Sequence, residues 1–189
     1  MATQPTTKVT EEEYLRLERA AEYKSEFVAG EIFAMSGGSL RHSRLGVRWA
    51  TQLENKLAYG PCSVYSSDAK VRTPSSGSYV YPDVSVVCGE AATYAGSDDI
   101  LTNPTLVVEV LSPSTSNYDR GKKFELYREI PSLKEYVLVH SDAVHVEHFA
   151  RQPDNSWVFR EYVGGDSVVM LASIDCSVKL QTVYAKLLD

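Results

Sequence analysis

The sequence has no apolar run near the roughly 18 residues that a membrane-spanning helix needs. Its opening stretch, MATQPTTKVTEEEY, lacks the apolar core of a signal peptide. Both absences point to the cytoplasm. Cysteine is scarce. Cys62, Cys88 and Cys176 are scattered, odd in number and without C-x-x-C spacing. That pattern argues against a disulfide framework or a zinc ribbon, and the three are expected to be buried small hydrophobes. An excess of basic charge is missing as well. The formal net charge is −6, whereas a protein that grips nucleic acid with its whole surface is basic. An enzyme that holds a phosphate chain along one local basic strip remains compatible with this charge. There is no internal repeat, low-complexity tract or linker, so one domain over residues 1–189 is expected, with a core at about 10–150 and a strand-rich extension at about 150–189.

What is present reads as alternating helices and strands. Thr10 followed by Glu13 is a capping-box signature for a helix over EEEYLRLERAAEY. EFVAGEIFAM reads as a hairpin turning at Ala29-Gly30. From His42, Leu45, Trp49, Leu53 and Leu57 recur at every fourth position, which predicts an amphipathic helix ended by Gly60-Pro61. Strand-like runs follow: CSVYSSDAKVR, YVYPDVSVVC and TLVVEVL. Asp119 is placed to cap a helix that runs to about Glu129, and KEYVLVH is the next strand. TLVVEVL, the helix and KEYVLVH form a β-α-β unit, so its two strands should be parallel. The last quarter alternates and is turn-rich, reading as an antiparallel extension closed by a short helix, TVYAKLL. The fold class is therefore α/β, a mixed central sheet flanked by helices with antiparallel strand extensions.

Two carboxylates stand out by position. Glu109 sits inside the apolar run Leu106–Leu111, where a charge is costly unless it is paired or binds a metal. Asp83 lies within Tyr79–Val87 behind Pro82, which suggests a strand bent or bulged there. Two carboxylates from neighbouring strands meeting at a bend make a hard-oxygen site for Mg²⁺ or Mn²⁺. The plainer alternative is two unrelated charges, one in an ion pair and one in a turn. Lys123 falls near the centre of the apolar arc set by Phe124, Leu126, Tyr127 and Ile130, and Lys122 at its edge. A lysine so placed needs a partner inside, and Glu109 is the candidate. Pairing with Asp119 or an outward reach of the side chain is the alternative. Asp83, Glu109 and Lys123 together suit metal-assisted phosphodiester hydrolysis.

These residues carry a resemblance. YVYPDVSVVC, followed by PTLVVEVLSPSTSNYDRGKKFELYREIPSLKEYVLV, closely resembles a bacterial restriction-endonuclease family of the PD-(D/E)XK superfamily, the Uma-two type, once a domain of unknown function. EFVAGEIFAMSGGSLRHSRL is similar to the family's opening hairpin, glycine-serine loop and histidine. The resemblance spans about residues 10 to 150. It implies a restriction-endonuclease-like fold and a Mg²⁺- or Mn²⁺-dependent endonuclease acting on DNA, with Pro82-Asp83 as the PD element and Glu109 as the acid of the (D/E)XK element. The position two after Glu109 is Leu111 where the superfamily has lysine, and Lys123 is the position that fits a lysine moved to the following helix. Glu31 and His42 lie on matching segments as accessory residues, Glu31 as a further carboxylate and His42 as a substrate contact.

Other patterns point elsewhere or nowhere. Arg120-Gly121-Lys122-Lys123 does not complete a P-loop, because Ser116 stands where the loop needs Gly. Alternation puts His145 and Glu147 on one strand face and His148 on the other, which argues against a zinc site made of those three. Arg41, Arg44, Arg48 and Lys56 stand against Glu54 alone on the long helix. Together with Lys122 on the later helix, the first three are candidate phosphate contacts. The expected partner is nucleic acid, double-stranded DNA before RNA, with no membrane association. Aromatic richness suggests an apolar patch and a homodimer. The reading from another class is a catalytically silent nuclease-fold module that binds nucleic acid or a protein partner.

Overall fold

The computed structural model describes residues 8–35 and 37–187. The chain opens with α1 (Glu11–Ala20) and the hairpin β1 (Ser25–Val28) and β2 (Glu31–Ala34). Thr10 caps α1, its hydroxyl accepting the Glu13 N–H at 3.2 Å. The turn falls at Ala29 and Gly30, both at positive φ. α2 (Leu40–Leu57) follows, capped by Ser39, whose hydroxyl accepts the His42 N–H at 3.2 Å. Its buried residues are Leu45, Trp49, Leu53 and Leu57, the stripe that the spacing predicts.

Next come β3 (Cys62–Ser66), β4 (Lys70–Arg72), β5 (Tyr79–Val80), β6 (Val84–Cys88), β7 (Ile100–Leu101) and β8 (Leu106–Leu111). A helical connection in three pieces leads to β9 (Glu135–His140): α3 (Ser116–Tyr118), a wide π turn (Asp119–Lys123) and α4 (Phe124–Arg128). β10 (His145–Arg151), β11 (Trp157–Val163), β12 (Val168–Leu171), β13 (Cys176–Lys179) and α5 (Leu180–Tyr184) complete the order. Among the described residues, no helix is long and apolar enough to cross a membrane.

The strands form two main sheets. One has the order β11-β10-β9-β8-β6-β3, the other β2-β1-β5-β4-β7, and β12 pairs with β13 alone. The pair β8–β9 is parallel, as the β-α-β unit requires, and the rest of the six-stranded sheet is antiparallel. Successive side chains on a strand point to opposite faces, so each strand of this sheet feeds two cores. Val84, Val86, Leu106, Val108, Val110, Val137 and Val139 pack against α2, α5 and the small hairpin. Val107, Leu111, Tyr136 and Leu138 face α4 and the inner side of the five-stranded sheet. On the outer side of that sheet, Tyr14 of α1 packs on Phe27, Tyr79 and Ile100.

Three expectations need correction. CSVYSSDAKVR and YVYPDVSVVC each divide between the two sheets instead of running as single strands. Asp119 does not cap its helix. The helical connection begins earlier, at Ser116, which leaves Asp119 inside it and buried. Cys62 and Cys88 are not separate thiols. They face each other on neighbouring antiparallel strands β3 and β6 and form a disulfide. Spacing along the chain could not reveal that register. Cys176 is free and buried, as expected.

Candidate active site

The floor of the cleft lies where the two sheets meet. The run Tyr79–Cys88 leaves the five-stranded sheet after Val80 and joins the six-stranded sheet at Val84, and Asp83 occupies the break. Asp83 Oδ2 accepts the Val110 N–H at 2.7 Å, which fixes this carboxylate beside the middle of β8. On β8, Glu109 projects to the face that carries the helical connection and is 3% exposed. Its Oε1 accepts the Tyr127 hydroxyl at 2.7 Å and the Lys123 ammonium at 2.8 Å.

Lys123 is the cation at the centre. It is 5% exposed, and its Nζ also reaches Glu26 Oε1 at 3.1 Å and the Tyr81 carbonyl at 3.2 Å. Glu26 comes from β1, on the strand face opposite Phe27. It is held by the Tyr81 N–H on Oε1 at 3.0 Å and the Tyr118 hydroxyl on Oε2 at 3.1 Å. Asp119, one helical turn before Lys123, is a fourth carboxylate lining the same cleft. π turns recur at functional sites. This one carries Asp119 and Lys123 to one side, both buried.

His42 stands at the rim in the first turn of α2. Its Nε2 is 3.3 Å from Asp83 Oδ2. The loop before it passes close by: a Cβ on Gly38 would lie 2.7 Å from His42 Nδ1, so a larger residue there would push the imidazole aside. The cleft holds about 580 Å³ and is also lined by Phe33, Met35 and Ser141.

Electrostatics follow from crowding four acids around one lysine. Burial pushes the Glu109 carboxyl well above the ordinary range against the pull of Lys123, and the neighbouring Asp83 and Asp119 push the same way. Burial likewise raises Asp119, with Lys123 opposing. Burial alone would lower Lys123, but Glu109, Glu26 and Asp119 outweigh it and hold the ammonium charged. The hydrogen bond to Asp83 raises His42, with burial opposing. The cluster therefore keeps its cation, while Glu109 and Asp119 resist carrying their negative charges.

The structure brings Asp83, Glu109, Lys123 and His42 together and leaves the other candidates outside. Glu31 is exposed on β2 at the turn end of the hairpin and does not line the cleft; the hairpin's carboxylate there is Glu26. Lys122 points outward and pairs with Glu125 at 3.4 Å. Arg48 donates to the carbonyls of Thr182 and Val183, and Arg44 to that of Lys186, so both hold the C-terminal segment onto α2. Arg41 alone of these arginines approaches the rim, donating to the Ser141 carbonyl at 3.4 Å. Glu26 and Asp119 are the residues that sequence reasoning missed. A signal existed for Glu26, an acid on the same strand face as Val28 and next to Phe27.

The chain matches the model of the Uma2 family, described as "Putative restriction endonuclease", over residues 11–181. It belongs to that family. Among curated proteins it is 40% identical to an uncharacterized protein of Synechocystis sp., slr1290, over 95% of this chain and 93% of that one. A second uncharacterized Synechocystis protein, sll1609, is 37% identical over 87% of this chain and 93% of its own length. Among solved structures, the fold is similar to that of "a putative nuclease belonging to DUF820" from Anabaena variabilis. The TM-score is 0.77 at 17% identity, covering 94% of this chain and 98% of that one. The fold is thus the α/β architecture of a nuclease family, mixed sheets flanked by helices. Glu26, Asp83, Glu109, Asp119 and Lys123 all lie within the residues that the family model matches.

Proposed function

We propose that this chain is a metal-dependent endonuclease that hydrolyses phosphodiester bonds of DNA. The observation that carries the reading is the cluster of Glu26, Glu109 and Asp119 around the buried Lys123, with Asp83 beside it, on the floor of an open cleft. Buried acids such as Glu26, Glu109 and Asp119, crowded to this degree, are costly without further positive charge.

The donor set suits Mg²⁺ or Mn²⁺. All the carboxylates are hard oxygen donors, and Mg²⁺ is commonly held by one or two carboxylates with water completing the shell. Asp83 and Glu109 would hold the ion. When bound, such an ion supplies Lewis acidity and a water of lowered pKa. The chain's own residues do the rest. Lys123 offsets the charge that builds on the phosphate and orients the attacking water. Glu26 and Tyr127 keep Lys123 and Glu109 in place. His42, at the rim and next to Asp83, contacts the substrate phosphate as a cation. A homodimer would set two clefts across a two-fold axis and cut both strands of a duplex. A monomer in light scattering at micromolar concentration removes that part.

The test is calorimetric titration of Mn²⁺ and Mg²⁺ alongside cleavage of supercoiled plasmid DNA. Wild type, Asp83→Ala and Glu109→Ala are compared. Saturable binding and cleavage, both lost in each variant, are expected. DNA binding without cleavage, unchanged by metal or by either substitution, would instead identify a catalytically silent module. Cleavage of RNA but not DNA would replace the substrate and keep the mechanism.

A further inference from the structure

Two strands out from Glu109, on the same face of the six-stranded sheet, lies a second polar cluster outside the cleft. His140 ends β9, while His145 and Glu147 open β10. One ligand atom from each lies within 4.8 Å of the others. The two imidazole rings stack with centroids 4.1 Å apart. The Tyr184 hydroxyl binds the backbone carbonyls of both histidines, at 2.7 and 2.9 Å, and so ties the two strand ends together.

Two donors at the centre of this cluster converge on one oxygen. His140 Nε2 is 2.8 Å from Glu147 Oε1, Arg120 Nη2 is 2.6 Å from the same oxygen, and Arg120 Nη2 is 3.1 Å from His140 Nε2. With its proton on Nε2, the imidazole donates to Glu147 beside the guanidinium, so the carboxylate already serves as the acceptor for a cation. A metal ion held by a bare Nε2 and by Oε1 would take the place of the guanidinium there.

We propose that His140, His145 and Glu147 form a binding site for a transition-metal dication of the Zn²⁺ class, taken up in exchange for the Arg120 guanidinium. Two imidazoles and one carboxylate with room for water are the donor set of an open zinc site. Nitrogen donors favour Zn²⁺ over Mg²⁺, the reverse of the all-oxygen cleft. An outer carboxylate of the kind that orients metal-bound histidines is in place: Glu161 Oε1 is 3.1 Å from His145 Nε2, which leaves Nδ1 of that ring for the ion. Asp142 Oδ1 stands 3.7 Å from His140 Nδ1, on the side of the ring away from Glu147. Zinc–ligand bonds of about 2.0–2.2 Å put neighbouring ligand atoms roughly 3.3–3.5 Å apart, so binding opens the 2.8 Å contact between His140 and Glu147 by about 0.5 Å and keeps all three ligand atoms inside their present 4.8 Å span. Arg120 can leave, because its side chain is 35% exposed.

The experiment is competition for Zn²⁺ between the full chain and a chromogenic chelator. It uses wild type, an Asp83→Asn/Glu109→Gln double variant that disables the cleft, His145→Ala and Arg120→Ala. Wild type and the double variant should each take up one equivalent. His145→Ala should bind about 100-fold more weakly or worse. His145 lies at the start of a strand and is partly exposed, so that variant should fold, which its far-UV dichroism would verify. Arg120→Ala should bind Zn²⁺ about tenfold more tightly, because the competing cation is gone. A merely structural ion-pair network would give no such gain. Absence of saturable Zn²⁺ binding by wild type overturns the proposal. So does binding that vanishes in the double variant and survives in His145→Ala, which would put the ion in the cleft.

Discussion

Lys123 Nζ lies 2.8 Å from Glu109 Oε1, although the two residues belong to a helical connection and to the strand before it. This contact joins the helix to the sheet at the point of deepest negative charge. Lys123→Met should therefore abolish DNA cleavage. It should also lower stability in metal-free buffer by about 3 kcal/mol, since Glu26 and Glu109 lose their shared cation. Added Mn²⁺ should restore part of the melting temperature by taking the ammonium's place among the acids. Lys122→Ala should change neither property appreciably, because Lys122 sits in an exposed pair. Loss of cleavage in Lys122→Ala with Lys123→Met active would overturn the assignment.

Glu109→Gln keeps acceptors for Tyr127 and Lys123 and removes a buried charge. The folded-state pKa of Glu109 is raised, so the group's contribution to stability is complete below the ordinary glutamate value and is lost as pH rises through the folded value. The variant should escape that loss. Its melting temperature in metal-free buffer at about pH 7.5 should exceed that of wild type by about 2–4 °C, or roughly 1 kcal/mol, and the difference should shrink toward about pH 5. Melting curves across that range are the check, and a lower melting temperature at every pH would show that the charge is stabilising.

Under the proposed function, the contact between His42 and Asp83 should make metal affinity depend on pH. Asp83 raises the pKa of His42, so the protonated ring persists above the usual value of about 6.5. The attraction between the two is complete below that value and disappears as pH rises through the raised one. A metal ion at Asp83 would experience the opposite, because the imidazolium would repel it. Mn²⁺ should thus bind more tightly at about pH 8.5 than at about pH 6. In His42→Gln the step should be smaller, as calorimetry at the two pH values would reveal. An identical step in both proteins would assign it to another group.

The pairing of Cys62 with Cys88 closes a chain separation of 26 residues. Loop-closure entropy puts its contribution near 3 kcal/mol. Thiol titration of the unfolded, unreduced protein should find one thiol, Cys176, and reduction should lower the melting temperature by several degrees. Three thiols before reduction would mean that the pair does not form.

Much of this was legible in the chain, and the limits have physical causes. The α2 stripe and the inward phase of Lys123 rest on the 3.6-residue helical period, a local property. The bend at Asp83 follows from proline in a strand. Glu109 is conspicuous because charge is rare in an apolar run. What escaped depends on pairing between distant segments. The division of Tyr79–Cys88 between two sheets, the disulfide register and the inward turn of Glu26 are all set by which strands become neighbours. Asp119 was misplaced because aspartate suits a helix cap so well that a buried interior position was passed over. His140 escaped for a related reason: it completes a cluster with His145 and Glu147 from the adjacent strand.

The seam between the sheets has a further consequence. Glu26 belongs to one sheet, Glu109 to the other, and Asp83 to the crossing between them. Neither half alone holds a complete set of acids around the lysine. A chain in which the halves have not docked carries no assembled site, so under the proposed endonuclease function correct folding would be the safety catch that spares the cell's own DNA.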